Sequence, residues 1–207
     1  MEVLFTRNPD IKKYAYPNWR RNTESSWDFF TYTEMYKNSA DILISSASDN
    51  IGYRADETII PCIFLYRHSV ELILKGILLT HYLMDESMTR EKIKDKLHGH
   101  SLKVLWNKTE NILHQYLKES IKRDKEPLDL MKNAVEELDL ADSSSMMFRY
   151  PYEAEFKNKQ LIGDQERNYG IDYQALKENF ENVYKYFSGC FQSIYARYEN
   201  LEVRPIL

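Results

Sequence analysis

Apolar residues recur at steps of three and four along most of the chain, the period of helices that bury one face. The last such stretch, 173–200, places Leu176, Phe180, Val183, Phe187, Phe191 and Ile194 on one broad face and predicts a long helix. Leu128, Met131, Val135 and Leu138 repeat the spacing over 127–140, and Leu102, Leu105, Trp106, Ile112, Leu113 and Tyr116 repeat it over 100–118. A shorter charged helix is predicted over 89–97, ended by His98-Gly99. Ser25 with Asp28 three residues on resembles a loose capping box and predicts a helix running to about Ser48.

The most apolar segment is Ile59–Met84, predicted as a helix entered near Thr58, with Pro61 in the first turn where its missing N–H is tolerated. Residues 142–172 break the period. Met146–Tyr152 is β-prone and 158–170 is polar and glycine-punctuated, so a hairpin-like excursion or irregular loop is expected there. Residues 1–22 read as an irregular arm and 23–207 as one domain. The fold class expected is all-α: an antiparallel bundle of about five helices, with the segments beginning at Ile59 and Tyr173 as its longest members.

Composition narrows this little. The 207 residues suffice for one substantial core, and 43% hydrophobic with 29% charged residues is ordinary for a globular chain. A formal charge of −4 gives no global attraction to nucleic acid, so any such binding needs a local patch. Cys62 and Cys190 form no paired spacing, which argues against a disulfide scaffold or zinc site and fits a reducing compartment. Met1–Asp10 carry no leader-like apolar run, and Arg67, His68, Glu71 and Lys75 interrupt the one segment that invites a membrane reading. A cytoplasmic protein without membrane, metal or cofactor is expected.

Those four residues are the main chemical signal. At 100° per residue, Arg67, Glu71 and Lys75 lie within about 80° of one another, with His68 at the edge of the arc. Ile60 and Phe64 precede them and Leu78 and Tyr82 follow on the same stripe, so the charges sit inside an apolar face. In one reading Glu71 pairs with Arg67 at i−4 and Lys75 at i+4 as a covered structural patch. In the other the patch floors a pocket, where Arg67 or Lys75 holds a phosphate and His68 moves a proton.

The segment Tyr66-Arg67-His68-Ser69-Val70-Glu71-Leu72-Ile73-Leu74-Lys75, followed by His100-Ser101-Leu102-Lys103-Val104-Leu105-Trp106, resembles HEPN domains. Glu71 and Lys75 match the family's Glu-x-x-x-Lys element, and His100 and Leu102 match its His-x-Leu element. The resemblance covers Ile59 to Trp106. It implies an up-and-down helical bundle, commonly dimeric, in a family of RNA-cutting toxins and phage-defence factors alongside non-catalytic modules, some paired with nucleotidyltransferases. The chain departs from the active ribonucleases, which carry an Arg, four to six residues and a His. Arg67 is followed at once by His68, seven residues separate Arg90 from His98, and no histidine follows His114.

Metal-independent RNA cleavage needs a proton acceptor near the 2′-hydroxyl and a cation for the phosphate. Arg67, His68 and His100 are the candidate catalytic residues, and Glu71, Lys75, Arg149 and Tyr150 the candidate binding residues. Arg149 lies between Phe148 and Tyr150, which suits either base stacking or anchoring of a loop on the core. The expected function is therefore action on or binding of RNA, with ribonuclease activity in a toxin or defence setting. The alternative is a non-catalytic helical interaction module or nucleotidyltransferase partner. The expected partners are a second copy of the chain, RNA, and a protein encoded nearby.

Overall fold

The computed structural model describes residues 26–48, 53–152 and 170–201, together with Lys12, Ala15 and Glu155. Most of the expected N-terminal arm and of the polar stretch 158–170 therefore lies outside the described residues. Seven helices are described: α1 (Trp27–Ser48), α2 (Tyr53–Leu83), α3 (Arg90–Leu97), α4 (Leu102–Tyr116), α5 (Lys118–Arg123), α6 (Glu126–Ala141) and α7 (Tyr173–Glu199). The all-α class is as the periodicity predicts, and α2 and α7, at 31 and 27 residues, are the longest elements.

Sequence signals account for several helix ends. Thr89 caps α3 by accepting from Lys92 N, Ser101 caps α4 by accepting from Val104 N, and Asp172 caps α7 by accepting from Gln174 N and Ala175 N. Gly99 adopts φ +97°, a left-handed turn that residues with a Cβ rarely take, and so reverses the chain just ahead of His100.

Three expectations need correction. Helix α2 begins at Tyr53 rather than near Thr58, so Pro61 lies within the helix and not in its first turn. Pro61 and Glu57 are both exposed, so the Glu57 carbonyl, which Pro61 leaves without its helical donor, lies on the open side of α2. The count of about five helices becomes seven because α3 and the six-residue α5 are separate elements. Finally, of the two forms expected over 142–172, the hairpin gives way to the irregular one: 143–151 is a chain of turns, and among the described residues no strand ladder forms. Phe148 is buried within this run of turns, and Tyr152 at its end forms an isolated bridge.

Helix direction follows from the contacts. Cys62 meets Ala40, His68 meets Tyr36 and Thr80 meets Ser26, so α1 and α2 run in opposite senses. Tyr66 stacks on Phe180, and Gly76 lies against Phe191, so α7 runs with α2. Trp106 meets Phe187 and Tyr116 meets Arg197, so α4 runs with α7, whereas α6 opposes α4 through the Asp139–Ser101 and Lys132–Glu110 pairs. The expected antiparallel arrangement is thus corrected to a bundle that mixes parallel and antiparallel neighbours, because the connection through α3 carries the chain back along α2 before α4 begins.

Helix α2 is the central member and packs against α1, α7, α4 and α3. Its Ile73, Leu74, Ile77 and Leu78 are fully enclosed, and Trp106, Phe187 and Phe191 complete the core. The rings of Phe30 and Phe191 stack with centroids 4.9 Å apart and planes 2° from parallel. Gly76 lets them approach: a Cβ there would lie 3.1 Å from Phe29 Cβ and 3.2 Å from the Phe191 ring. Phe29 Cβ is fixed by its backbone and Phe191 is held by Phe30. Gly76→Ala should therefore lower the melting temperature, because overpacking costs about 1–3 kcal/mol and outweighs the roughly 1 kcal/mol gained in helix propensity. A thermal melt as high as the parent's would show that the ring can shift aside.

Candidate functional site

The expected Arg67–Glu71–Lys75 cluster exists, and Glu71 is its hub. The helical spacing of four residues brings Arg67 Nη1 to 3.2 Å from Glu71 Oε2 and Lys75 Nζ to 2.8 Å from Glu71 Oε1. His100, delivered by the Gly99 turn, places Nδ1 at 2.8 Å from the same Oε1. Burial alone would push the Glu71 carboxyl up, but the Lys75 and His100 partners outweigh it and hold the group below the usual carboxylate range. An ionised carboxylate only accepts, so His100 Nδ1 carries the proton and donates it, and in the neutral ring Nε2 is then the acceptor. The His100 side chain is 63% exposed, against 2% for Glu71 and 13% for Lys75.

Arg67 behaves differently from its candidate role. Its side chain is wholly enclosed, with Nε donating to the Asp142 carbonyl at 3.0 Å and Nη2 to the His100 carbonyl at 2.7 Å. It ties α2 to the end of α6 and to the entrance of α4. An arginine whose fork is spent on three elements inside the protein is a clamp, not a phosphate grip.

His68 also departs from expectation. Its ring packs edge-on against Tyr36, with centroids 4.5 Å apart, and lies parallel to Phe64 at 5.8 Å. Burial pushes its pKa below the ordinary histidine value; Glu71 opposes this, and Lys75, Arg67 and His100 add to it. No hydrogen bond of His68 to the Glu71 network occurs among the described residues. The structure therefore brings Arg67, Glu71, Lys75 and His100 together and sets His68 in an aromatic cluster between α1 and α2.

Arg149 and Tyr150 lie on the turn segment that follows Asp142. Both are exposed, with the Arg149 guanidinium carbon 5.4 Å from the Tyr150 ring centre and Nη2 donating to Met146 Sδ. Of the aromatics beside Arg149, Phe148 is buried while Tyr150 is exposed.

Two features escaped the sequence. Asp142 is completely buried beside Arg67, with Oδ2 3.6 Å from Arg67 Nε and Oδ1 accepting from Met146 N. Nothing in the spacing links positions 75 residues apart. A second, half-buried set joins Lys37, Asp41 and Glu181, with Tyr66 Oη donating to Asp41 Oδ1 at 2.7 Å. The Lys37–Asp41 spacing of four was its only local sign. Burial favours neutral Lys37, yet Asp41 and Glu181 prevail and raise its pKa.

The histidines give a pH dependence of stability. His68 and His81 both have lowered pKa values, burial being the largest cause at each. Their contribution to stability is complete above the unfolded histidine value of about 6.5 and is lost as pH falls through the lower folded values. Melting temperature should thus decline between pH 7 and 5, and less steeply for His68→Phe than for the parent. A flat parent profile over that range would contradict the burial of both rings.

These contacts define an all-α bundle with a charge-balanced network of Arg67, Lys75, Glu71 and Asp142 in its interior and one histidine of that network open to solvent. The chain matches no protein-family model, no curated protein and no solved structure. Among the described residues, no helix is long and apolar enough to cross a membrane, and no three His, Cys, Asp or Glu side chains are grouped to hold a metal ion.

Proposed function

We propose that the protein acts on RNA as a HEPN-like helical effector, with His100 as the proton-transferring group. The observation that carries this reading is the 2.8 Å contact between His100 Nδ1 and Glu71, which orients an imidazole that is otherwise 63% exposed and uses only one of its nitrogens. A carboxylate behind a histidine fixes its tautomer and supports the charge that builds on the ring. In the step proposed, Nε2 takes the proton of a 2′-hydroxyl as that oxygen attacks the adjacent phosphorus. The bond to the 5′-oxygen breaks, the departing oxygen takes a proton from water, and a 2′,3′-cyclic phosphate remains. Lys75, on the same carboxylate, places a cation beside the phosphate. Arg149 and Tyr150 offer a second contact by charge and stacking. Incubating the parent with transfer, ribosomal and messenger RNA in EDTA tests this; no cleavage of any class would overturn it.

One observation favours the second reading, a non-catalytic interaction module. Arg67, fully enclosed, makes the cluster a device that holds α2, α4 and α6 together. In that case His100→Ala leaves binding and cellular effect intact.

A further inference from the structure

We infer that Asp142 is a positioning residue for the His100–Glu71 pair and acts on it through Arg67. The inference rests on the reading of that pair as the working site. Asp142 ends α6, where its N–H donates to the Leu138 carbonyl and its own carbonyl accepts from Arg67 Nε at 3.0 Å. Its Oδ1 accepts from Met146 N at 2.9 Å. The other oxygen, Oδ2, is buried and has no hydrogen-bond partner among the described residues; its nearest charge is Arg67 Nε at 3.6 Å. A buried carboxylate oxygen left with no donor is costly unless a charge faces it, and here that charge is Arg67.

Arg67 passes the constraint on at both ends of the pair. Its Nη1 holds Glu71 Oε2, the oxygen that His100 does not use, and its Nη2 holds the main-chain carbonyl of His100 itself. Two cations and two carboxylates then balance inside the bundle. Removing the Asp142 charge leaves Arg67 with Glu71 as its only buried counter-charge, and the carboxylate is drawn off the line that orients His100. A purely structural Asp142 would cap α6 and hold the Met146 turn, with no bearing on the imidazole.

The two roles differ in a spectroscopic signature that requires no RNA. The 15N resonances of the His100 ring report which nitrogen carries the proton. In the parent at pH 8, His100 should be a single Nδ1–H tautomer. In Asp142→Asn, which keeps the Oδ1 acceptor and the carbonyl, the Nδ1–H form should no longer be the main one. The double variant Arg67→Met with Asp142→Leu removes both buried charges together and leaves neither of that pair uncompensated; a parent-like tautomer there overturns the role even if the asparagine variant does not fold. A parent-like His100 tautomer in every variant that folds would overturn the positioning role. That result, beside RNA cleavage by the parent, would leave the RNA reading standing. Loss of the signature without any cleavage would instead remove the reaction while retaining the coupling.

Discussion

Replacing Arg67 by alanine is expected to lower folding stability by about 3–5 kcal/mol and the melting temperature by roughly 10 °C. The size follows from what is left behind. Glu71 and Asp142 are both fully buried beside the lost guanidinium, and the carbonyls of Asp142 and His100 lose their donors. Lys75 compensates Glu71 in part, because it reaches the other carboxylate oxygen. The surface pair Lys132–Glu110, at 3.9 Å, sets the scale for an unimportant contact: Lys132→Ala should change stability by no more than about 0.5 kcal/mol. Urea unfolding of both variants, followed by far-UV circular dichroism, measures the difference. An Arg67→Ala loss near that of Lys132→Ala would mean that the interior network does not hold the helices together.

The contrast between Arg67 and His68 shows what the chain's pattern could and could not convey. Helical spacing alone placed Arg67, Glu71 and Lys75 on one arc, and their i, i+4 pairing follows from local geometry that tertiary packing did not alter. The caps at Thr89, Ser101 and Asp172 are local as well. His68 is one residue from Arg67, so it turns about 100° away. Whether that direction meets a site or a neighbouring helix depends on where α1 lies, and α1 presents Tyr36 to it. Asp142 and Glu181 join their clusters from 75 and 144 positions away, and a periodicity of three or four carries no information at that range. The parallel sense of α2 and α4 was likewise hidden, since it depends on α3 folding back along α2 rather than on any residue pattern within the helices. His100 was legible only through its place in the His-x-Leu element, and Gly99, with its positive φ, is what turns it toward Glu71.

The largest functional effect is expected at His100. If its Nε2 accepts the 2′-hydroxyl proton, His100→Ala should reduce the rate of RNA cleavage in EDTA by about 10²–10⁴-fold, the usual contribution of a positioned general base. The fold should survive, because the side chain is 63% exposed and its one strong side-chain contact is to Glu71, which keeps Lys75 and Arg67 as partners. Tm should accordingly stay within a few degrees of the parent's. His68→Ala provides the opposite pattern: its ring is wedged between Tyr36 and Phe64, so stability falls while the rate per folded molecule holds. Lys75→Met separates charge from geometry, for it removes the ammonium beside the phosphate and leaves the His100–Glu71 contact in place. It should weaken cleavage most at low salt, where an exposed phosphate feels a nearby cation over the longest range. Equal rates for the parent and His100→Ala, measured with both proteins folded, would take proton transfer away from His100. The exposed imidazole would then be a by-product of the clamp that Arg67 makes between α2, α4 and α6.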